Sequence, residues 1–106
     1  MKTNMTYHAR EERINRLNAL IDCLGVGEVV LSAPDKLHTD SVRCITSTGI
    51  MVIKGIDGTI ITAYMATIDQ ATAMFSQMGF SKIPHTLYRT IVYNNKRYAF
   101  IHKIKN

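Results

Sequence analysis

The chain has 106 residues, of which 46% are hydrophobic, and a formal net charge of +5. Its length fits one domain over residues 1–106 and leaves no room for a second. No stretch approaches the roughly 20 consecutive apolar residues of a membrane span, and the first residues lack the apolar core of a signal peptide. We therefore expect no membrane association, and a location in the cytoplasm or delivery into the cytoplasm of a target cell.

Cys23 and Cys44 are the two cysteines of the chain. They lack CxxC spacing and a histidine-rich companion segment, so we expect two free thiols in preference to a disulfide. Because soft ligands are so few, we expect no structural zinc. We also expect no other metal site and no cofactor.

Positive charge is concentrated in the last quarter of the chain. Residues 1–80 contain seven Lys/Arg and eight Asp/Glu, whereas residues 81–106 contain six Lys/Arg and no acidic residue. Clustered positive charge is typical of proteins that bind a polyanion, with nucleic acid as the first candidate. The alternative is a basic edge hairpin that only improves solubility.

The first half of the chain predicts a helix followed by strands. Apolar residues recur at helical spacing within residues 6–24, and Gly25 and Gly27 mark the end of that helix. A short strand follows at residues 28–31, then a polar loop that contains Pro34. Residues 42–48, 49–55 and 58–64 predict three further strands, with turns at Thr48-Gly49 and Asp57-Gly58.

The second half predicts a second helix and a hairpin. Thr67 and Gln70 fit a capping box, and the helix they start is expected to reach about Met78 and to stop at Gly79. Pro84 is expected to prevent further helix nearby. Residues 86–104 alternate in polarity and predict two strands turned at Asn94-Asn95.

The predicted fold class is therefore α+β in a single domain. It consists of an N-terminal helix, an antiparallel sheet meander, a second helix and a C-terminal hairpin, with the helices packed on one side of the sheet.

Several side chains of the first two thirds could carry chemistry on RNA. Strand alternation predicts that Ile60, Thr62 and Tyr64 share one face. Metal-independent RNA cleavage needs a base, an acid and cations for the phosphorane, and histidine, glutamate, tyrosine, arginine and lysine supply them. The chain offers these types in His8, Arg10, Glu12, Arg13, Arg43, Lys54, Thr62 and Tyr64.

The segments "YHAREER" and "VRCITSTGIMVIKGIDGTIITAY" resemble the barnase–EndoU–colicin–RelE superfamily (the BECR fold) of small metal-independent RNases, many of them bacterial toxins. The resemblance covers roughly residues 7–66, and its motifs are short. It implies a catalytic set of His8, Arg10 or Arg13, Arg43, Thr62 and Tyr64. The sequence departs from the pattern at Glu12, and the segment after residue 67 extends beyond the match.

Plainer interpretations exist for the same residues. His8 fits a solvated helix end, Arg10 and Arg13 fit pairs with neighbouring glutamates, and Thr62 and Tyr64 fit an ordinary strand end. His38, His85 and His102 are expected to be structural or solvated, with His85 or His102 as an alternative catalytic acid.

The C-terminal segment interleaves tyrosines with cations, a pattern that suits stacking on unpaired bases and contact with phosphates. The predicted nucleic-acid-binding residues are Lys54, Tyr88, Arg89, Lys96, Arg97, Tyr98 and Lys103. Tyrosines that merely cover a sheet, or a docking surface for an acidic protein such as a cognate inhibitor, are the alternatives.

The leading hypothesis is a toxin-type, metal-independent RNase acting on RNA, of bacterial or phage origin. The runner-up is a non-catalytic binding protein of a phage or mobile element that engages nucleic acid or an acidic protein through the basic hairpin. A third is an assembly protein that forms a homodimer through an edge strand.

Overall fold

Four antiparallel strands form one sheet in the computed structural model, which describes residues 15, 18–22, 24, 25, 27–35 and 40–105, with side chains up to residue 99. The strands are β1 (Val29–Pro34), β2 (Ser41–Thr46), β3 (Ile50–Gly55) and β4 (Ile60–Met65). Their spatial order is β1-β2-β3-β4, so every strand pairs with its neighbour in sequence. This arrangement confirms the predicted antiparallel meander.

Glycines allow the two tight turns of the meander. Gly49 precedes β3 with φ of 84°, and Gly58 lies between β3 and β4 with φ of 85°. Both values lie in the left-handed region, which residues with a Cβ atom rarely adopt. At the second turn the Asp57 carboxylate accepts a hydrogen bond from the Thr59 amide at 3.0 Å. The hairpin predicted at Asp57-Gly58 is therefore confirmed.

Strand β1 is longer than predicted. It runs to Pro34, within the segment that was expected to be a polar loop. Pro34 is tolerated because β1 lies at the edge of the sheet, where a residue without an N–H group removes no ladder hydrogen bond. The amide of Asp35 then donates to the Ser41 carbonyl at 3.0 Å and brings the ends of the β1–β2 connection together.

A bulge in β4 breaks the predicted alternation. Ile53 pairs with Thr62, but the next residue, Lys54, pairs with Ile60, so Ile61 is the extra residue. Antiparallel partners project to the same side of a sheet, and one extra residue moves the residues before it to the other side. Thr62 and Tyr64 thus share a face as predicted, whereas Ile60 lies on the opposite face.

The N-terminal helix prediction holds where the structure describes it. Residues 15, 18–22 and 24 are helical, and the Gly25 amide donates to the Ile21 carbonyl at 2.8 Å. Gly25 has φ of 82° and ends this segment, as expected for a glycine after a helix. The beginning of the predicted helix lies outside the described residues.

Helix α1 (Ile68–Gln77) begins at the predicted capping box. The Thr67 hydroxyl accepts from the Gln70 amide, and the Gln70 side chain accepts from the Thr67 amide, both at 3.0 Å. Met78 is the C-cap residue, and Gly79 follows with φ of 92°. Both predicted ends of this helix are thus confirmed to within one residue.

The predicted C-terminal hairpin is wrong. Residues His85–Lys105 form one 21-residue helix, α2, that runs through Asn94 and Asn95 without a turn. Pro84 does not prevent a helix, because proline restricts the residue before it and its own carbonyl accepts from the Tyr88 amide at 3.0 Å. Although α2 is long, no helix in the described part of the chain is apolar enough to cross a membrane.

The core lies on both faces of the sheet, so the prediction of helices on one side is also wrong. The larger cluster joins strand residues such as Ile45 and Met51 to α1 and to Leu87 and Ile91 of α2. The smaller cluster, on the opposite face, consists of Leu20, Ile50 and Ala63, with partly buried residues that include Tyr98 of α2. Helix α2 therefore contributes to both clusters.

Asparagine side chains hold α2 against the end of the sheet. Asn94 donates to the Thr48 carbonyl and Asn95 to the Ala66 carbonyl, both at 3.0 Å. Thr48 belongs to the β2–β3 turn, and Ala66 follows β4. The two residues that were expected to form a β-turn instead bind carbonyls that the sheet itself leaves available.

Candidate functional site

Three predicted catalytic residues lie on the sheet face that α1 covers. Arg43 pairs with Ile53, which pairs in turn with Thr62, so the three residues form one row across β2, β3 and β4. Tyr64 lies two residues further along β4 and pairs with Met51. The strand spacing separates the backbones of Arg43 and Thr62 by about 10 Å. The structure thus places Arg43, Thr62 and Tyr64 on one face, with Arg43 two strands away from the other two.

The Arg43 side chain is enclosed by neighbours from β1 and α1. It is 18% exposed, its Nε lies 3.8 Å from the Asp35 carboxylate, and its Nη2 donates to Gln77 Oε1 at 3.2 Å. The Gln77 amide donates in turn to the Pro34 carbonyl at 3.0 Å. Nε itself is buried without a hydrogen-bond partner. These contacts tie α1 to the ends of β1 and β2 and give Arg43 a structural role.

Tyr64 belongs to the same electrostatic environment. Burial raises the pKa of its phenol above the usual value of 10.0, Arg43 lowers the pKa and Asp35 raises it, and burial is the largest of the three. The phenol therefore stays protonated at neutral pH. In this state Tyr64 can donate a proton or a hydrogen bond, but it cannot act as a base.

Of the other predicted site residues outside the C-terminal segment, the structure describes only Lys54. His8, Arg10, Arg13 and Glu12 lie outside the described residues. Lys54 pairs with Val42 and Ile60, five residues along β3 from the turn at Gly49 that α2 contacts. This separation corresponds to about 16 Å along the strand. Lys54 therefore lies at the opposite end of β3 from the turn that α2 contacts.

Three basic residues of the C-terminal segment lie on the outer side of α2. Arg89, Tyr93, Lys96 and Arg97 are all exposed, and their spacing places them on one helical face. We name these four residues the basic face. Its position opposite the inward-facing Leu87, Ile91 and Asn94 follows from helical periodicity. Tyr88 is exposed beside the basic face, whereas Tyr98 packs against the smaller core cluster. The structure does not describe the side chain of Lys103.

The helix keeps the predicted cations together in a different geometry. In a hairpin, Arg89 and Lys96 would lie on different strands. In α2 they lie seven residues apart along one axis, a separation of about 10 Å. No acidic residue occurs in residues 81–106, so the face has no internal counter-charge.

The sequence analysis did not identify two sets of interacting residues. One set holds Arg43 and consists of Asp35 and Gln77. The other holds α2 against the sheet and consists of Asn94 and Asn95. Asp35 occurs in a polar loop and Gln77 at the end of a helix, where neither has a local signal. The only available signal was helical spacing of Leu87, Ile91 and Tyr98, which competed with strand alternation in the same segment.

Comparison with protein-family models, with curated proteins and with solved structures finds no match to this chain.

Proposed function

We propose that this chain binds nucleic acid, with RNA as the first candidate, through the basic face of α2. The observation that carries the proposal is the exposure of Arg89, Tyr93, Lys96 and Arg97 on one side of a helix without acidic residues. Arginine and lysine neutralise phosphates and release counterions, which supplies most sequence-independent affinity.

The aromatic residue within the basic face supports a nucleic-acid ligand. Tyr93 is 65% exposed and lies between Arg89 and Lys96 along the helix. Covering an exposed aromatic ring removes apolar surface from water, and a nucleobase can do so by stacking its flat face on the ring.

Salt-dependent binding of a short labelled RNA, followed by fluorescence anisotropy, tests the proposal. Log affinity falls as log salt rises, and each lost phosphate contact makes this negative slope shallower by about 0.7 to 0.9. We expect Lys96→Gln and Arg89→Gln each to weaken binding and to make the slope shallower by that amount. Lys54→Gln removes the same charge from a distant strand, so it is the matched control and should leave the slope unchanged.

Two results would contradict the proposal. Equal losses in Lys96→Gln and Lys54→Gln would mean that net charge, and not the basic face, determines affinity. Absence of salt-sensitive binding to RNA and to DNA, together with binding of an acidic polypeptide, would replace nucleic acid with a protein partner.

A metal-independent RNase is a second candidate. Its support is the shared face of Arg43, Thr62 and Tyr64, together with the resemblance of residues 7–66 to small RNases. A protonated Tyr64 fits a general acid, and His8 would supply the base. This candidate requires Arg43 to contact the RNA substrate while it also contacts Asp35 and Gln77.

RNA cleavage in the presence of EDTA tests the second candidate. Loss of acid or base assistance lowers the rate about 100-fold or more. We expect Tyr64→Phe and His8→Ala to show such losses if the chain is a nuclease, whereas Tyr93→Phe changes an exposed tyrosine outside the strand and should keep the rate. Absence of cleavage with intact RNA binding would leave only the binding function.

A further inference from the structure

A pocket of about 480 Å³ lies between the beginnings of α1 and α2. Its lining includes two residues of α1, two of the connecting loop and two of α2. They are Ile68, Thr72, Lys82, Ile83, His85 and Tyr88. Pockets of roughly 300 to 1,000 Å³ hold small molecules or single groups of a larger ligand.

The lining combines an apolar surface with basic groups. Ile83 is buried and Ile68 is half-buried, and the Tyr88 ring is 46% exposed beside them. Thr72 offers a hydroxyl, while Lys82 and His85 offer a cation and an imidazole. None of the described residues that line the pocket is acidic. Such a lining suits a flat ring that carries an anionic group.

The pocket and the basic face are adjacent along α2. His85 and Arg89 lie one helical turn apart, and Tyr88 immediately precedes Arg89. A ligand that lies along Arg89, Lys96 and Arg97 therefore reaches the pocket at the start of α2. The same strand of phosphates can contact both.

We infer that this pocket receives one unpaired nucleotide of a bound strand. Its base would pack against Ile68, Ile83 and Tyr88, and its phosphate would lie at Lys82 and His85. The inference rests on the proposed nucleic-acid binding and narrows the ligand to single-stranded nucleic acid. A base in a duplex would first have to unpair and unstack, which costs free energy. An unpaired base avoids this cost.

The direct test is titration of the ¹⁵N-labelled protein with AMP, adenosine and inorganic phosphate, each alone. We expect AMP to shift the amide resonances of Thr72, Ile83, His85 and Tyr88 more strongly than adenosine or phosphate does. Tyr88→Ala should weaken AMP binding roughly 5- to 150-fold, the range for loss of base–aromatic stacking. Ile56→Ala removes a large exposed side chain of the β3–β4 turn, outside both the pocket and the basic face, and should leave AMP binding unchanged.

A second test measures whether the pocket contributes to the binding of single-stranded RNA. Thr72→Phe fills the pocket from an exposed position of α1, and Ser76→Phe adds the same ring one turn further along. We expect the native protein to bind single-stranded RNA more tightly than duplex RNA of equal length. Thr72→Phe should abolish this preference and leave duplex binding intact, whereas Ser76→Phe should preserve both.

Several results would overturn the inference. They are no shift at these amides up to about 20 mM AMP, equal shifts with phosphate alone or with an acidic peptide, and an unchanged strand preference in Thr72→Phe. Failure of the proposed function is distinguishable, because it would appear as loss of salt-sensitive binding to single strands and duplexes alike.

Discussion

The side-chain amide of Asn94 donates to the backbone carbonyl of Thr48 at 3.0 Å, joining the middle of α2 to the β2–β3 turn. Asn94 is 8% exposed, so its amide has little access to water as an alternative partner. The hydrogen bond therefore fixes where along the sheet the helix docks.

Replacing Asn94 should destabilise the fold. Asn94→Leu keeps a side chain of similar size but leaves the Thr48 carbonyl without this donor. An unsatisfied buried polar group costs about 1 to 3 kcal/mol, and we expect a loss of that size in the free energy of unfolding in urea. Lys96→Leu, at an exposed position of the same helix, should change it by less than about 0.5 kcal/mol. Equal values for the two variants would contradict a docking role for Asn94.

The contact between Gly49 and α2 predicts a difference between two glycine variants. Gly49 and Gly58 have nearly equal φ values, so alanine pays a similar backbone penalty of about 1 to 2 kcal/mol at either position. A Cβ atom at Gly49 would lie 3.1 Å from Ile91 Cγ1, whereas nothing lies within 4 Å of one at Gly58. We therefore expect Gly49→Ala to be the more destabilising by about 1 kcal/mol, measured by urea denaturation. A larger loss in Gly58→Ala would mean that α2 does not pack on this turn.

Arg43 is expected to matter for stability before it matters for chemistry. Arg43→Met removes the arginine that lies beside the largely buried Asp35 carboxylate and that donates to Gln77 Oε1. We expect a loss of about 2 kcal/mol in the free energy of unfolding. Lys54→Met, the equivalent change in the adjacent strand, should cost less than about 0.5 kcal/mol. An Arg43→Met variant of native stability that no longer cleaves RNA would instead identify Arg43 as catalytic.

The raised pKa of Tyr64 predicts a loss of stability in alkali. Above pH 10 the unfolded chain releases the phenol proton, while the folded chain still retains it. The unfolded state then binds fewer protons, so the free energy of unfolding falls as the pH rises from about 10 through the pKa of the folded state. Below pH 10 the stabilising contribution is fully present.

Tyr64→Phe removes this titration. We expect the difference in unfolding free energy between pH 9 and pH 11 to be smaller in Tyr64→Phe than in the native protein. Tyr93→Phe is the control, because Tyr93 is 65% exposed. An identical alkaline loss in Tyr64→Phe would show that burial of the phenol does not contribute.

The parts of the fold that depend on neighbouring residues were predictable from the sequence. The Asp57-Gly58 hairpin and the Thr67–Gln70 capping box each involve residues within a few positions of one another, and both are present. Glycine and capping side chains have preferences that hold in most surroundings. The meander followed because short turns pair successive strands.

The C-terminal helix was not predictable in the same way. Residues 86–95 contain β-branched and aromatic residues and alternate in polarity, so local preference favours a strand. Leu87 and Ile91 also have helical spacing, and burial against Ile45 and Met51 outweighs that preference. The Thr48 and Ala66 carbonyls, to which Asn94 and Asn95 donate, lie 46 and 29 residues away, and no local pattern can indicate such partners.

The candidate site was predictable only as residue types. Alternation placed Thr62 and Tyr64 together, but the partners that enclose Arg43 come from a loop and a distant helix end. The basic face emerged from charge alone, although its helical geometry did not. The hypothesis of a polyanionic ligand depends on charge composition, which is the same in a helix and in a hairpin. It therefore stays a prediction after the change in secondary structure.

Helix α2 contributes to both core clusters, and we expect it to be the last element to dock during folding. The hairpins of the meander join residues close in sequence and can form early, whereas docking α2 requires closure of a loop of 46 residues. Because Leu87 and Ile91 cover one face and Tyr98 the other, undocking exposes apolar surface on both sides at once. A ligand that binds only docked α2 would therefore stabilise the entire chain, so occupancy and folding are thermodynamically linked.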